Sequence, residues 1–157
     1  VREILPENFY ALQNDSIKFG NLVICGSRCW SVPGSPDFKD QDMKIYLRET
    51  ERLKLSLKSA QKIRNEGDKL VALIHYPPFN VKLENSAYTE LFEEYGVDAV
   101  IYGHLHGKNV RSEMLVNKNG VKYYFKEEIK IEKEEVKERT PVDDLIDIIG
   151  EELIEIE

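Results

Sequence analysis

Two apolar runs, each ending in a loop led by imidazole, constrain this chain more than any other feature. Leu70-Val71-Ala72-Leu73-Ile74 leads into His75-Tyr76-Pro77-Pro78, and Val97-Asp98-Ala99-Val100-Ile101-Tyr102 leads into Gly103-His104-Leu105-His106-Gly107. Short runs rich in β-branched residues and bounded by Gly or Pro read as strands buried on both faces. Between them lies a short helix, capped by Asn85 or Ser86. Ala87, Leu91, Phe92 and Tyr95 form its apolar side and Gly96 stops it. Strand, helix, strand with short links implies a right-handed crossover and two parallel strands. Both loops then leave the sheet at one edge, which is expected to bring His75 close to His104 and His106. The chain has three histidines, and all three stand at these two strand ends.

The remaining segments fit around this unit. Asn8 to Leu12 and Ser16 to Phe19 read as short strands, and Gly20-Asn21 turns the chain into Leu22 to Gly26 as a hairpin at the border of the sheet. Ser27 to Asp40 is too densely punctuated by Ser, Pro and Gly for regular structure. Arg28 and Trp30 begin that loop and are candidates for overhanging a site, although the plainer reading is that Trp30 packs the loop down. A long helix follows, capped by Asp40 or Asp42 and ended before Gly67. Its apolar positions are Met43, Tyr46/Leu47, Thr50, Leu53, Leu57 and Ala60, and Lys44, Arg48, Glu51, Lys54, Lys58 and Lys62 form a solvated face. After Gly107 a second hairpin is expected, from Asn109 to Val116 and from Val121 to Phe125, around Asn117-Lys118-Asn119-Gly120. The fold class is α/β with a parallel β-α-β core, in one domain over residues 1–125. Residues 126–157 form a charged tail that reads as an edge strand, a helix or a linker before Thr140-Pro141, and as an amphipathic helix, or a helix and a strand, after it.

Charge sharpens this division. The net charge is −7, yet residues 126–157 carry five Lys/Arg against thirteen Asp/Glu, so the rest of the chain sums to +1. A near-neutral body with an acidic tail has no electrostatic footprint for nucleic acid. No apolar run approaches the roughly 20 residues of a membrane span, nothing resembles a signal peptide, and cytoplasm is the expected compartment. Cys25 and Cys29 form a lone C-x-x-x-C pair, a weak zinc signal, and are expected to be reduced structural thiols.

An H-x-H pair in extended backbone places both side chains on one face. Gly103 and Gly107 leave room beside the imidazoles, and imidazole nitrogen is a good ligand for divalent ions of the Mn, Fe or Zn class. His75, His104 and His106 are therefore the candidate metal ligands.

These two blocks, Leu73-Ile74-His75-Tyr76-Pro77-Pro78 and Tyr102-Gly103-His104-Leu105-His106-Gly107, resemble the last two signature blocks of the calcineurin-like metallophosphoesterases. The resemblance covers the chain from near Phe9 to about Phe125. It implies a β-sandwich flanked by helices and hydrolysis of phosphate esters at a two-metal centre. By that resemblance His75 and His104 would bind one ion and His106 the other. Two ions would clamp the phosphate and activate a bridging water for in-line attack, with a family histidine assisting the leaving oxygen.

The family's earlier blocks, D-x-H, G-D-x-x-D and G-N-H-D/E, are not found in these 157 residues; Gly67-Asp68 does not continue as the second. With valine as first residue, the expectation is the C-terminal portion of such a domain, with no catalytic residue of its own and little activity alone. Three readings follow: an incomplete phosphoesterase, a split enzyme completed by a separate N-terminal half, and a non-catalytic metal-binding or interaction module. A sandwich lacking half its strands also exposes an apolar sheet face, so self-association is expected.

Overall fold

The computed structural model describes residues 9–105 and 115–126. Its elements run β1 (Ser16–Phe19), β2 (Leu22–Ser27), α1 (Asp42–Ile63), β3 (Lys69–Ile74), α2 (Ala87–Glu94), β4 (Ala99–Tyr102), β5 (Leu115–Lys118) and β6 (Val121–Phe125). The strands form a single sheet in the order β1-β2-β3-β4-β6-β5. β2, β3, β4 and β6 are mutually parallel, and antiparallel hairpins supply the two edges. The α/β class and the parallel β3-α2-β4 core are as the sequence implies. The described residues hold one sheet; the second sheet of a sandwich is not among them.

Local chemistry accounts for the hairpins and the helix ends. Gly20 takes the positive φ of 53° at the first hairpin turn, and Asn119-Gly120 takes 50° and 83° at the second, the left-handed pair that a two-residue Asn-Gly loop favours. Ser86 caps α2: its hydroxyl accepts from the N–H groups of Tyr88 and Thr89, and the Thr89 hydroxyl accepts from the Ser86 N–H at 2.9 Å. The same Ser86 hydroxyl donates to the carbonyl of Pro78, fastening the helix to the loop behind β3.

Three sequence expectations are corrected. Phe9 to Leu12 form no strand; Phe9 and Tyr10 are exposed, and Asn14, at φ 60°, turns the chain before β1 begins. The residue before α1 is Gln41, with no side-chain cap, and Asp42 lies inside the first turn. Its carboxylate instead accepts from the Lys39 N–H and the Trp30 indole, tying down the Ser27–Asp40 loop. Met43 and Leu47 face solvent, whereas Glu49 and Ser56 are buried with Tyr46, Leu53, Leu57 and Ala60. The helix meets the sheet along a stripe that includes two polar positions because each has a buried polar task. Ser56 accepts from the Gly26 N–H at 2.8 Å and donates to the Asp15 carbonyl at 2.6 Å. The hairpin expected from Asn109 begins at Leu115 in the described residues, and 109–114 lie outside them.

Alternation along the strands divides the core. Val23 and Cys25, Leu70, Ala72 and Ile74, Val100 and Tyr102, and Tyr123 and Phe125 face the helices and pack with Leu53, Leu57, Tyr88 and Phe92. Leu22, Val71, Ala99 and Tyr124 form a smaller cluster of their own, flanked by Ile24 and Ile101. Leu73 and Leu115 are exposed. No helix among the described residues is long and apolar enough to cross a membrane.

Burial also decides the thiols. Both cysteines are free and buried, and loss of hydration pushes Cys25 up from 9.0 to about 12, with Cys29 moved in the same direction. The folded state therefore keeps these protons where the unfolded chain releases them. Stability from this source is fully present below pH 9.0 and is lost as the pH rises toward 12. Urea midpoints at about pH 8 and about pH 9.5 should fall apart in the wild type and draw together in Cys25→Ala/Cys29→Ala.

At the amino edge of the sheet, one guanidinium joins four segments. Arg64 donates to the carbonyls of Asp68, Tyr95 and Gly96 and to the carboxylate of Asp98, which also accepts from the Leu70 N–H at 2.8 Å. Arg64→Ala is expected to lower the unfolding free energy by about 1–3 kcal/mol, measured from the urea midpoint.

Candidate metal centre

The carboxyl edge of the sheet is built by backbone bonds between loops. His75 and Tyr76, leaving β3, both donate their N–H groups to the carbonyl of Arg28, which follows β2, at 3.2 Å each. Gly103, leaving β4, donates to the carbonyl of His75 at 3.1 Å. Three neighbouring parallel strands thus release their loops in step. Gly26 keeps β2 close to β3: a Cβ there would stand 2.4 Å from the Leu73 carbonyl oxygen.

This arrangement brings the two described histidines into contact. Nδ1 of His104 lies 3.1 Å from Nε2 of His75, with the rings 5.0 Å apart and inclined at 74°. His104 adopts φ 73°, a left-handed conformation that a residue with a Cβ takes at a cost of about 1–2 kcal/mol. Such a cost persists only where the surrounding structure holds the residue in place. Part of that hold is aromatic. Tyr76 lies over His104 at 4.0 Å and 32°, and Trp30 packs on Tyr76 at 4.9 Å and 38°. Trp30 thus both packs its loop and extends the stack that ends on His104.

Beside the stack is a cavity of about 250 Å³, lined in part by Asp37, Tyr76, Phe79, Asn80, Tyr102 and His104. Asn80 braces its wall, donating to Glu84 at 2.5 Å and accepting from the N–H groups of Lys82 and Glu84.

The histidine pair fits a shared cation. Two nitrogens bound to one ion at about 2.0–2.1 Å stand about 3.0 Å apart at a right angle and about 3.3 Å apart at the tetrahedral angle. The observed 3.1 Å lies between these values. Each neutral imidazole has one nitrogen with a lone pair, so the hydrogen bond joining the rings and joint ligation of an ion are alternatives for the same atoms. No group of three or more His, Cys, Asp or Glu able to hold a metal is present among the described residues. His106, the third candidate, lies outside them.

A family model described as calcineurin-like phosphoesterase matches residues 3–108. The chain belongs to that family. Comparison with curated proteins and with solved structures gives no match. The matched span ends just past the Gly103–Gly107 block, so both histidine blocks fall within it.

The sequence placed His75 and His104 at strand ends but gave no sign of the ring of contacts that fixes them. Tyr76, adjacent to His75, was the available signal. The environment of Glu49 was not readable at all: three arginines surround it, and one of them is 21 residues away in sequence.

Proposed function

We propose that this calcineurin-like phosphoesterase chain carries part of a metal-dependent phosphate-ester hydrolase centre, in which His75, His104 and His106 are ligands for divalent ions of the Mn, Fe or Zn class. The observation that carries this reading is the 3.1 Å approach of His104 Nδ1 and His75 Nε2 at the ends of adjacent parallel strands. When bound, such an ion supplies Lewis acidity toward the phosphoryl oxygens and activates water for attack. The chain's own residues orient the ligands. The bond from Gly103 N–H to the His75 carbonyl fixes the spacing of the two loops, and Tyr76 limits rotation of the His104 ring. The cavity beside His104 offers the ester's alcohol portion a wall that includes Tyr76, Phe79 and Tyr102, with polar groups at Ser31, Ser35, Asp37 and Asn80.

Three imidazoles bring no negative charge, and the family's D-x-H, G-D-x-x-D and G-N-H-D/E blocks do not occur in the 157 residues. A separate polypeptide segment that supplies carboxylates would complete the centre. By itself, the 157-residue chain is expected to hydrolyse p-nitrophenyl phosphate no faster than His75→Ala/His104→Ala under the same metal. Clear turnover above that variant would overturn the incomplete-centre reading.

Metal binding is the direct test. Calorimetric titration with Mn²⁺ and Zn²⁺ should show binding that His104→Ala weakens by about tenfold or more. Equal binding by wild type and variant, or none by either, would remove the histidines from the site. Binding that remains hydrolytically silent when the missing blocks are supplied in trans would favour the non-catalytic module.

A further inference from the structure

The α1 side of the same sheet edge carries an unusual concentration of like charge. Glu49 is 1% exposed, and its Oε1 receives Arg52 Nη1 at 2.8 Å, Arg48 Nη2 at 3.3 Å and Nε at 3.4 Å, with Arg28 Nη2 at 3.6 Å. A buried carboxylate requires one opposite charge, and here three guanidiniums converge on one of its oxygens, leaving a local charge of +2. The three side chains remain 51%, 54% and 44% exposed at Arg28, Arg48 and Arg52. Each guanidinium has five N–H donors, and the bonds to Glu49 use only a few of them. Outside its acidic tail the chain is near neutral, so this patch is not one part of a generally basic surface.

The cluster is joined to the histidine pair. Arg28 Cζ lies 4.8 Å from the centroid of Trp30, Trp30 packs on Tyr76, and Tyr76 lies over His104. The backbone carbonyl of the same Arg28 holds the N–H groups of His75 and Tyr76.

We propose that Arg28, Arg48 and Arg52, gathered by Glu49, form a binding site for a phosphate group, and that this group is a second phosphate carried by the substrate, distinct from the one hydrolysed. Planar guanidiniums suit this task, since they bind phosphate oxygens bidentately and stay charged at all relevant pH. Glu49 is a positioning residue: it holds three mutually repelling side chains together and leaves their outer donors free for an anion. The phosphate site stands independently of the hydrolase reading, and the assignment to substrate rests on it.

The test follows the sole tryptophan, Trp30, whose fluorescence should respond to a change at Arg28. Calorimetry runs alongside. In EDTA, inorganic phosphate and an alkyl bisphosphate are titrated into wild type, Arg28→Gln/Arg48→Gln and His75→Ala/His104→Ala. Arg52, the closest partner, stays in place so that Glu49 remains paired, and circular dichroism checks the fold. Both ligands should bind the wild type, about tenfold more weakly the arginine variant, and unchanged the histidine variant. Added salt should weaken binding. No binding, or equal binding by a folded arginine variant, would overturn the site. With Mn²⁺ present, the bisphosphate should gain about tenfold over inorganic phosphate in wild type and lose that gain in either variant. Absence of the gain, with binding in EDTA intact, would overturn the substrate assignment and make the cluster a site for the free ion. Failure of the metal titration would instead strike the hydrolase reading and leave the EDTA result standing.

Discussion

The parallel pairing of β2, β3 and β4 is the constraint on which the rest depends. Parallel strands release all their loops at one edge, and here those loops are stitched in sequence: Arg28 carbonyl to the N–H groups of His75 and Tyr76, then His75 carbonyl to the Gly103 N–H. Imidazoles 29 residues apart therefore meet at 3.1 Å. The short crossover through α2 makes this possible, and Ser86 secures both ends of the arrangement by capping the helix and bonding the Pro78 carbonyl. Shifting β3 by one residue would turn every side chain to the other face and dissolve the pair.

Charge is organised at both edges of the sheet, by different means. At the amino edge, Arg64 and Asp98 pair with backbone groups at the end of α2 and the start of β3, the carbonyls of Asp68, Tyr95 and Gly96 and the N–H of Leu70, which is a structural task. At the carboxyl edge, Glu49 is buried beneath more positive charge than its own neutrality requires. The first arrangement closes on itself, and the second leaves three half-exposed guanidiniums, one of them joined to His104 through Trp30 and Tyr76. Between them, α1 acts as more than a cover for the sheet, since Ser56 and Glu49 on its buried stripe engage β2 and the loop behind it.

Membership of the calcineurin-like phosphoesterase family rests on a match over residues 3–108, and within that span the histidine blocks are the chemically distinctive part. The geometry adds what a motif cannot supply: a distance suited to joint ligation, a left-handed backbone at His104, and an aromatic stack that holds the ring in place. These are features of a loop that its surroundings keep in one conformation.

The sequence by itself determined the elements that local chemistry dictates. A cap at Asn85 or Ser86, the Gly20-Asn21 and Asn119-Gly120 turns, the two buried strands and their parallel crossover follow from propensity, turn stereochemistry and chain handedness, all acting over a few residues. It also determined that His75 and His104 would stand at strand ends. Tertiary structure alone decided the rest. Asp42 became a loop anchor instead of a cap, because Trp30 and Lys39 offered donors that only folding brings near. Met43 and Leu47 turned outward and Glu49 inward, because the stripe that α1 buries is set by where β2 and Arg28 lie, not by the periodicity of its apolar residues. The stack from Arg28 through Trp30 and Tyr76 to His104 joins three separate loops. Long-range contact of that kind has no period or spacing in the sequence, since its energy exists only once the sheet has fixed the loops beside one another.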